Sequence, residues 1–225
     1  MGLLILFAGA RANAEGPMTG ADQGQADLRI LLPVTGEALM PLEARHGMYL
    51  VTEGADKGLQ VPFTFEPHGD HWILTKHGLA QHELHRDHQG NLFIDRETDL
   101  RQDRQIDYAS PVILLPGMID RHLSLTGNTR VIVRSTRPPF ITYRGTCTWE
   151  LTFIGVGPIK TPAGTLLTYQ LRAKREIRLP LAQISMTIDF AYVRGKGMVA
   201  TGVDQIIRSL NLFTYREGWR LEQLP

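Results

Sequence analysis

Six histidines, His68, His71, His77, His82, His85 and His88, fall within twenty-one residues of this chain, and neutral imidazole is the commonest nitrogen ligand of zinc-like cations. On a helix, His82, His85 and His88 would share a face. On a strand, His82 and His85 point to opposite sides, and His82 and His88 stand about 20 Å apart, too far for one ion. The run Asp87-His88-Gln89-Gly90-Asn91 has turn chemistry, which makes the segment a hairpin. No metal site therefore follows from neighbours in sequence; cross-strand pairs such as His71 with His82 or His85 stay open. The histidines are read as polar strand faces that titrate near neutral pH, and no metal or cofactor is assigned.

The other reactive side chains are isolated. Cys147 is the single cysteine; no histidine lies near it in sequence to act as a base, so it is read as a small buried hydrophobe. No G-x-S-x-G elbow surrounds Ser124, Ser135, Ser185 or Ser209, and the sequence does not distinguish carboxylate pairs such as Asp99 with Asp103 or Glu83 with Asp95 from solvated strand faces. Gly195-Lys196-Gly197 lacks the spacing of a phosphate loop. No catalytic residue is assigned. The basic run Arg172 to Arg178 alternates, with Arg172, Lys174 and Glu176 on one side and Ala173, Arg175 and Ile177 on the other. It is read as an exposed, charged strand.

Composition narrows the classes further. Of 225 residues, 43% are hydrophobic and 21% charged, which describes a folded globular chain. Twenty-four basic residues balance 23 acidic ones, so no overall field attracts nucleic acid, and no nucleic-acid partner is expected. Met1 to Ala14 carries an apolar run followed by Ala12-Asn13-Ala14, a small-x-small pattern, and is expected to be an export signal cut after Ala14. Glu15 to Asp27 is polar and reads as a flexible mature N-terminus. No segment approaches the roughly 20 apolar residues of a membrane-spanning helix. No cysteine follows the leader, so the expected location is periplasmic without a lipid anchor.

From residue 28 to 225 the chain reads as one antiparallel β domain. Turn residues recur every eight to twelve positions, and the intervening segments alternate polar and apolar. Hairpins are expected across Pro67 to Asp70 and across Asp87 to Asn91. Two longer strands, Thr146 to Ile154 and Leu166 to Leu179, flank a Gly-Pro-rich stretch, and a last hairpin pairs Leu212 to Tyr215 with Trp219 to Glu222. Helical signals are confined to Gly36 to His46, interrupted by Pro41, and to Asp204 to Leu210. Trp149, Leu151 and Phe153 share one side of a strand; Ile184, Met186, Ile188, Phe190 and Tyr192 share one side of another. If the sheet curls, these eight residues line its concave face and are the candidate ligand-binding set.

Four segments in order, Ser110-Pro111-Val112-Ile113-Leu114-Leu115-Pro116, the strand Trp149 to Gly155, Thr161-Pro162-Ala163-Gly164-Thr165, and Tyr192-Val193-Arg194-Gly195-Lys196-Gly197-Met198-Val199, resemble bacterial periplasmic half-barrel proteins akin to the lipoprotein-localisation carriers. The resemblance spans Leu79 to Glu222. It implies a mainly β fold, a single curved antiparallel sheet or half-barrel with one or two short helices. The expected function is a non-enzymatic periplasmic binding or carrier protein, its concave face holding a lipid-like ligand or a partner segment. An envelope assembly factor using exposed edge strands is the alternative, and an envelope hydrolase the third.

Overall fold

The computed structural model describes residues 31–209 and 213–225; the expected leader and polar N-terminal segment lie outside the described residues. The elements are β1 (Val34–Thr35), α1 (Gly36–Leu39), β2 (Arg45–Glu53), β3 (Gln60–His68), β4 (His71–Lys76), β5 (Ala80–Arg86), β6 (Leu92–Asp99), β7 (Arg104–Leu115), β8 (Met118–Ile119), β9 (Ser124–Ser135), β10 (Thr142–Thr161), β11 (Gly164–Leu179), β12 (Ala182–Val193), β13 (Gly197–Ser209) and β14 (Phe213–Gln223).

Mainly β is correct, but the open half-barrel is not what forms. Twelve antiparallel strands close into a barrel in the order β10-β11-β12-β13-β14-β2-β3-β4-β5-β6-β7-β9. Two pairings make the closure: Leu221 of β14 sits opposite Val51 of β2, and Tyr143 of β10 opposite Val133 of β9. The first half of the chain is thus the missing half of the wall. The closing ladders are short: β14 meets β2 over Arg220 to Gln223, and β7 meets β9 over Arg104 to Tyr108.

Local chemistry explains most elements. Gly69, at φ +66°, lets β3 and β4 meet in a tight turn with His68 opposite His71. Pro162-Ala163 joins β10 and β11, with Thr161 opposite Gly164. The Gly-Pro stretch expected as a loop is instead strand, kinked where Ile154 drops out of register. The described part of the Asp204 to Leu210 candidate, through Ser209, is strand β13 rather than helix, paired on both sides with β12 and β14. The last expected hairpin is a single strand, β14, whose Gly218 pairs with Asp204.

One end of the barrel is plugged. β1 pairs with β8, Thr35 caps the four-residue α1 by accepting from the Ala38 amide at 3.2 Å, and Leu39 and Met40 are buried. The rest of the Gly36 to His46 candidate is not helical. Arg86 Nη2 donates to the Met40 carbonyl at 2.7 Å and the Gly195 amide to the Ala38 carbonyl at 2.7 Å. A Cβ on Gly36 would stand 2.3 Å from the Pro116 carbonyl oxygen, which is backbone and cannot swing aside. Gly36→Ala is expected to lower stability by about 1–3 kcal/mol, the usual cost of overpacking, measured by urea titration.

Candidate functional site

Strand alternation sorts the wall into two chemistries. Outside are ion pairs: Arg172 with Asp189 at 2.7 Å, Arg96 with Glu83 at 2.9 Å and with Asp107 at 2.7 Å. Inside lies the apolar core. That is the reverse of a membrane-spanning barrel, which turns an apolar band outward, and among the described residues no helix is long and apolar enough to cross a membrane.

All eight residues of the candidate set share the inner wall. Trp149 stands opposite Arg175 and Leu151 opposite Ala173, while Met186 stands opposite Arg175 and Ile188 opposite Ala173. Eight strands enclose a space that side chains fill; twelve enclose more. The interior accordingly keeps a cavity of about 150 Å³, lined among others by Ile177, Ile184, Met186, Ile188, Phe190 and Tyr192. Trp149, Leu151 and Phe153 do not line it: Leu151 is buried in the wall, and Trp149 borders a second hollow with Met186.

Charge enters this apolar chamber at three points that the candidate set missed. Arg175 projects inward from β11 with its side chain 1% exposed, paired with Glu97 of β6, four strands away around the ring. Tyr108 donates to the other Glu97 oxygen at 3.1 Å, and His82 Nε2 lies 4.0 Å from Glu97 Oε1. Lys76, also buried, holds its ammonium 5.7 Å from the Trp219 ring centre and has no hydrogen-bond acceptor among the described residues. Tyr192 Oη, Thr201 Oγ1 and Arg175 Nε are likewise buried without a partner there.

The electrostatics follow from burial against pairing. Burial pushes Glu97 upward, but Arg175, His82 and Tyr108 outweigh it, and the net shift is down. Arg175 is held above its ordinary value, because Glu97 overcomes its desolvation. Burial drives Lys76 down to about 8 against the pull of Glu97, and drives His82 down to about 4. Cys147, on the same wall, is pushed up to about 11 by burial, so its thiol stays protonated at neutral pH.

The His82 shift predicts an acid limb. A histidine that is neutral when folded contributes stability above its ordinary value of 6.5, and that stability is lost as pH falls toward about 4. His82→Gln is expected to flatten melting temperature against pH over this window. The slope removed is at most about 1.4 kcal/mol per pH unit.

The end of the cavity away from α1 is polar. Arg101 Nη1 reaches Glu217 at 2.5 Å and its Nη2 reaches Asp56 at 3.3 Å; Gln102 donates to Glu217 at 3.3 Å. The connections at that end carry exposed apolar side chains: Leu59, Leu100, Phe140, Leu181 and, at 72% exposure, Phe213. The six clustered histidines divide three ways. His68, His77 and His88 are exposed, His82 faces inward, and His71 and His85 meet on the outer wall, their ring centres 6.1 Å apart.

Fold and interior together define a closed twelve-stranded antiparallel barrel with a charged, partly hollow lumen. No family model matches the chain, and no curated protein matches it. Among solved structures it is similar to the hypothetical lipoprotein YmcC from Escherichia coli (K12), at 10% identity and a TM-score of 0.40, over 91% of this chain and 97% of that one.

Proposed function

We propose that this chain is a non-enzymatic binding or carrier protein of the bacterial envelope, whose lumen takes a small amphipathic anion. The observation that carries the reading is Lys76: a buried ammonium facing an apolar cavity, with a ring beneath it and no acceptor among the described residues. Arg175 is neutralised by Glu97, whereas the Lys76 ammonium has no ion pair or hydrogen bond of its own among the described residues and is a charge that a ligand can meet. The walls suit an apolar body beside the anionic group. At about 150 Å³ the space admits a benzene-sized group, so a short apolar segment enters rather than a whole acyl chain. The apolar rim at Phe140, Leu181 and Phe213 marks the side from which such a ligand arrives. The exported location rests on the leader sequence.

The test is thermal shift and calorimetry with benzoate and octanoate. Both are expected to raise the melting temperature of the natural protein and to lose affinity in Lys76→Met. Binding should be constant below pH 8 and weaken about tenfold per unit above it, as the free ammonium loses its proton. Neutral octanol should bind both proteins alike. If neither carboxylate shifts the melting point, or if Lys76→Met binds them as well, the reading fails.

The same rim supports a second reading, an assembly factor that docks on protein through it. That reading expects a partner to co-purify with the natural protein and to be lost in a Phe140→Ser, Phe213→Ser variant, with carboxylates inert.

A further inference from the structure

Outside the lumen, on the opposite surface of the same wall, three side chains from three adjacent strands converge. His71 of β4 and His85 of β5 flank the rung where Trp72 pairs with Leu84. Asp95 of β6 is the residue squeezed out of both neighbouring ladders, since the register shifts between Glu83 and Leu84 on one side and between Ile94 and Arg96 on the other. Such bulges re-aim a side chain, and here the carboxylate lands between the two imidazoles. Asp95 Oδ2 is 2.6 Å from His85 Nδ1 and 3.5 Å from His71 Nδ1. One donor atom from each of the three lies within 4.8 Å of the others.

The geometry points to a binding site for a divalent transition cation of the zinc class, held by His71, His85 and Asp95 with coordination positions left for water. His71 supplies the argument. Its Nε2 faces Asp70 Oδ1 at 3.3 Å. The ring's Nδ1 is buried, makes no hydrogen bond, and faces a carboxylate oxygen. A buried imidazole nitrogen without a hydrogen bond and a carboxylate oxygen 3.5 Å from it are a pair of donors that one cation can share. With a metal there, Asp70 stands where an outer carboxylate commonly orients a metal-bound histidine.

Size and rigidity agree. Tetrahedral zinc with bonds near 2.0–2.1 Å separates its ligands by about 3.3 Å, inside the range these donors span. Phe93 stacks on the His85 ring, 5.2 Å between centres and 16° from parallel, and all three ligands stand on barrel strands rather than on loops, which fixes them. Two nitrogens in the set select against magnesium and calcium, which take oxygen. The sequence left His71 with His85 open as a cross-strand pair; the bulge that adds Asp95 turns the pair into a three-ligand set.

The test is zinc titration of the untagged full chain by calorimetry at pH 7.5, with zinc X-ray absorption on the loaded protein. One zinc per chain is expected, with a first shell that includes two imidazoles. Asp95→Asn and His85→Ala should each weaken binding tenfold or more while circular dichroism is unchanged, and Asp70→Asn should weaken it less. A His77→Ala, His88→Ala control should bind as the natural protein does. Zinc affinity untouched by Asp95→Asn and His85→Ala, or no saturable binding up to about 100 µM zinc, would overturn the site.

Discussion

Glu97→Gln is expected to destabilise the protein by about 3–5 kcal/mol, the cost of stranding a buried charge by removing its partner. Arg175 is 1% exposed and its Nε is already without a partner among the described residues; amide for carboxylate leaves the guanidinium with no counter-charge. For a domain of this size that is a fall of roughly 10 °C or more in melting temperature. The double variant Glu97→Leu, Arg175→Met should recover most of the loss, since a buried pair replaced by apolar groups of similar volume is often neutral or better. The difference between the double variant and the sum of the singles measures the coupling. Acid should mimic the single change: Glu97 is held below its ordinary value, so its contribution is present above about pH 4.5 and is lost as pH falls below that. Additive singles would show that the pair is not coupled as described.

Much of the wall was legible because strand parity is a two-residue rule. Ile184 to Tyr192, the turn at Pro162-Ala163 and the pairing of β5 with β6 all follow from side chains that alternate and from turn residues with fixed conformations. The same rule already placed Arg175 with Ala173 and Ile177, and Lys76 lies in phase with Trp72 and Leu74. Parity groups these cations with apolar neighbours, yet the run Arg172 to Arg178 reads as an exposed strand, because the partner that makes its burial tolerable, Glu97, lies 78 residues from Arg175. Closure was illegible for a related reason. The β14–β2 pairing joins Leu221 to Val51, and nothing local to either segment announces the other. Bulges are the third blind spot: Asp95 reaches His71 and His85 only because one residue is extruded, and a strict alternation misplaces every residue beyond such a slip.

Lys76→Met should make the protein more stable at neutral pH and abolish the pH dependence that the lysine imposes. The folded ammonium titrates at about 8 against an ordinary 10.5, so the unfolded chain binds more protons between those values and stability rises with pH across that window. Below about pH 8 the whole penalty is present, at most about 3 kcal/mol. The attraction to the Trp219 ring, worth about 1–2 kcal/mol when desolvated, is lost in the variant and offsets part of the gain. A net increase of about 1–2 kcal/mol remains, or roughly 3–6 °C, and the curves of the two proteins should converge above pH 10.5. A lysine that destabilises its own fold and faces an apolar cavity is the pattern of a group kept for what it binds. An anion seated on it would offset the cost of burying its charge, raise its titration point and erase the difference between the two proteins. If Lys76→Met is less stable at pH 7, the ammonium has a partner that stabilises it in the free protein, and the lumen has no charge to offer a ligand.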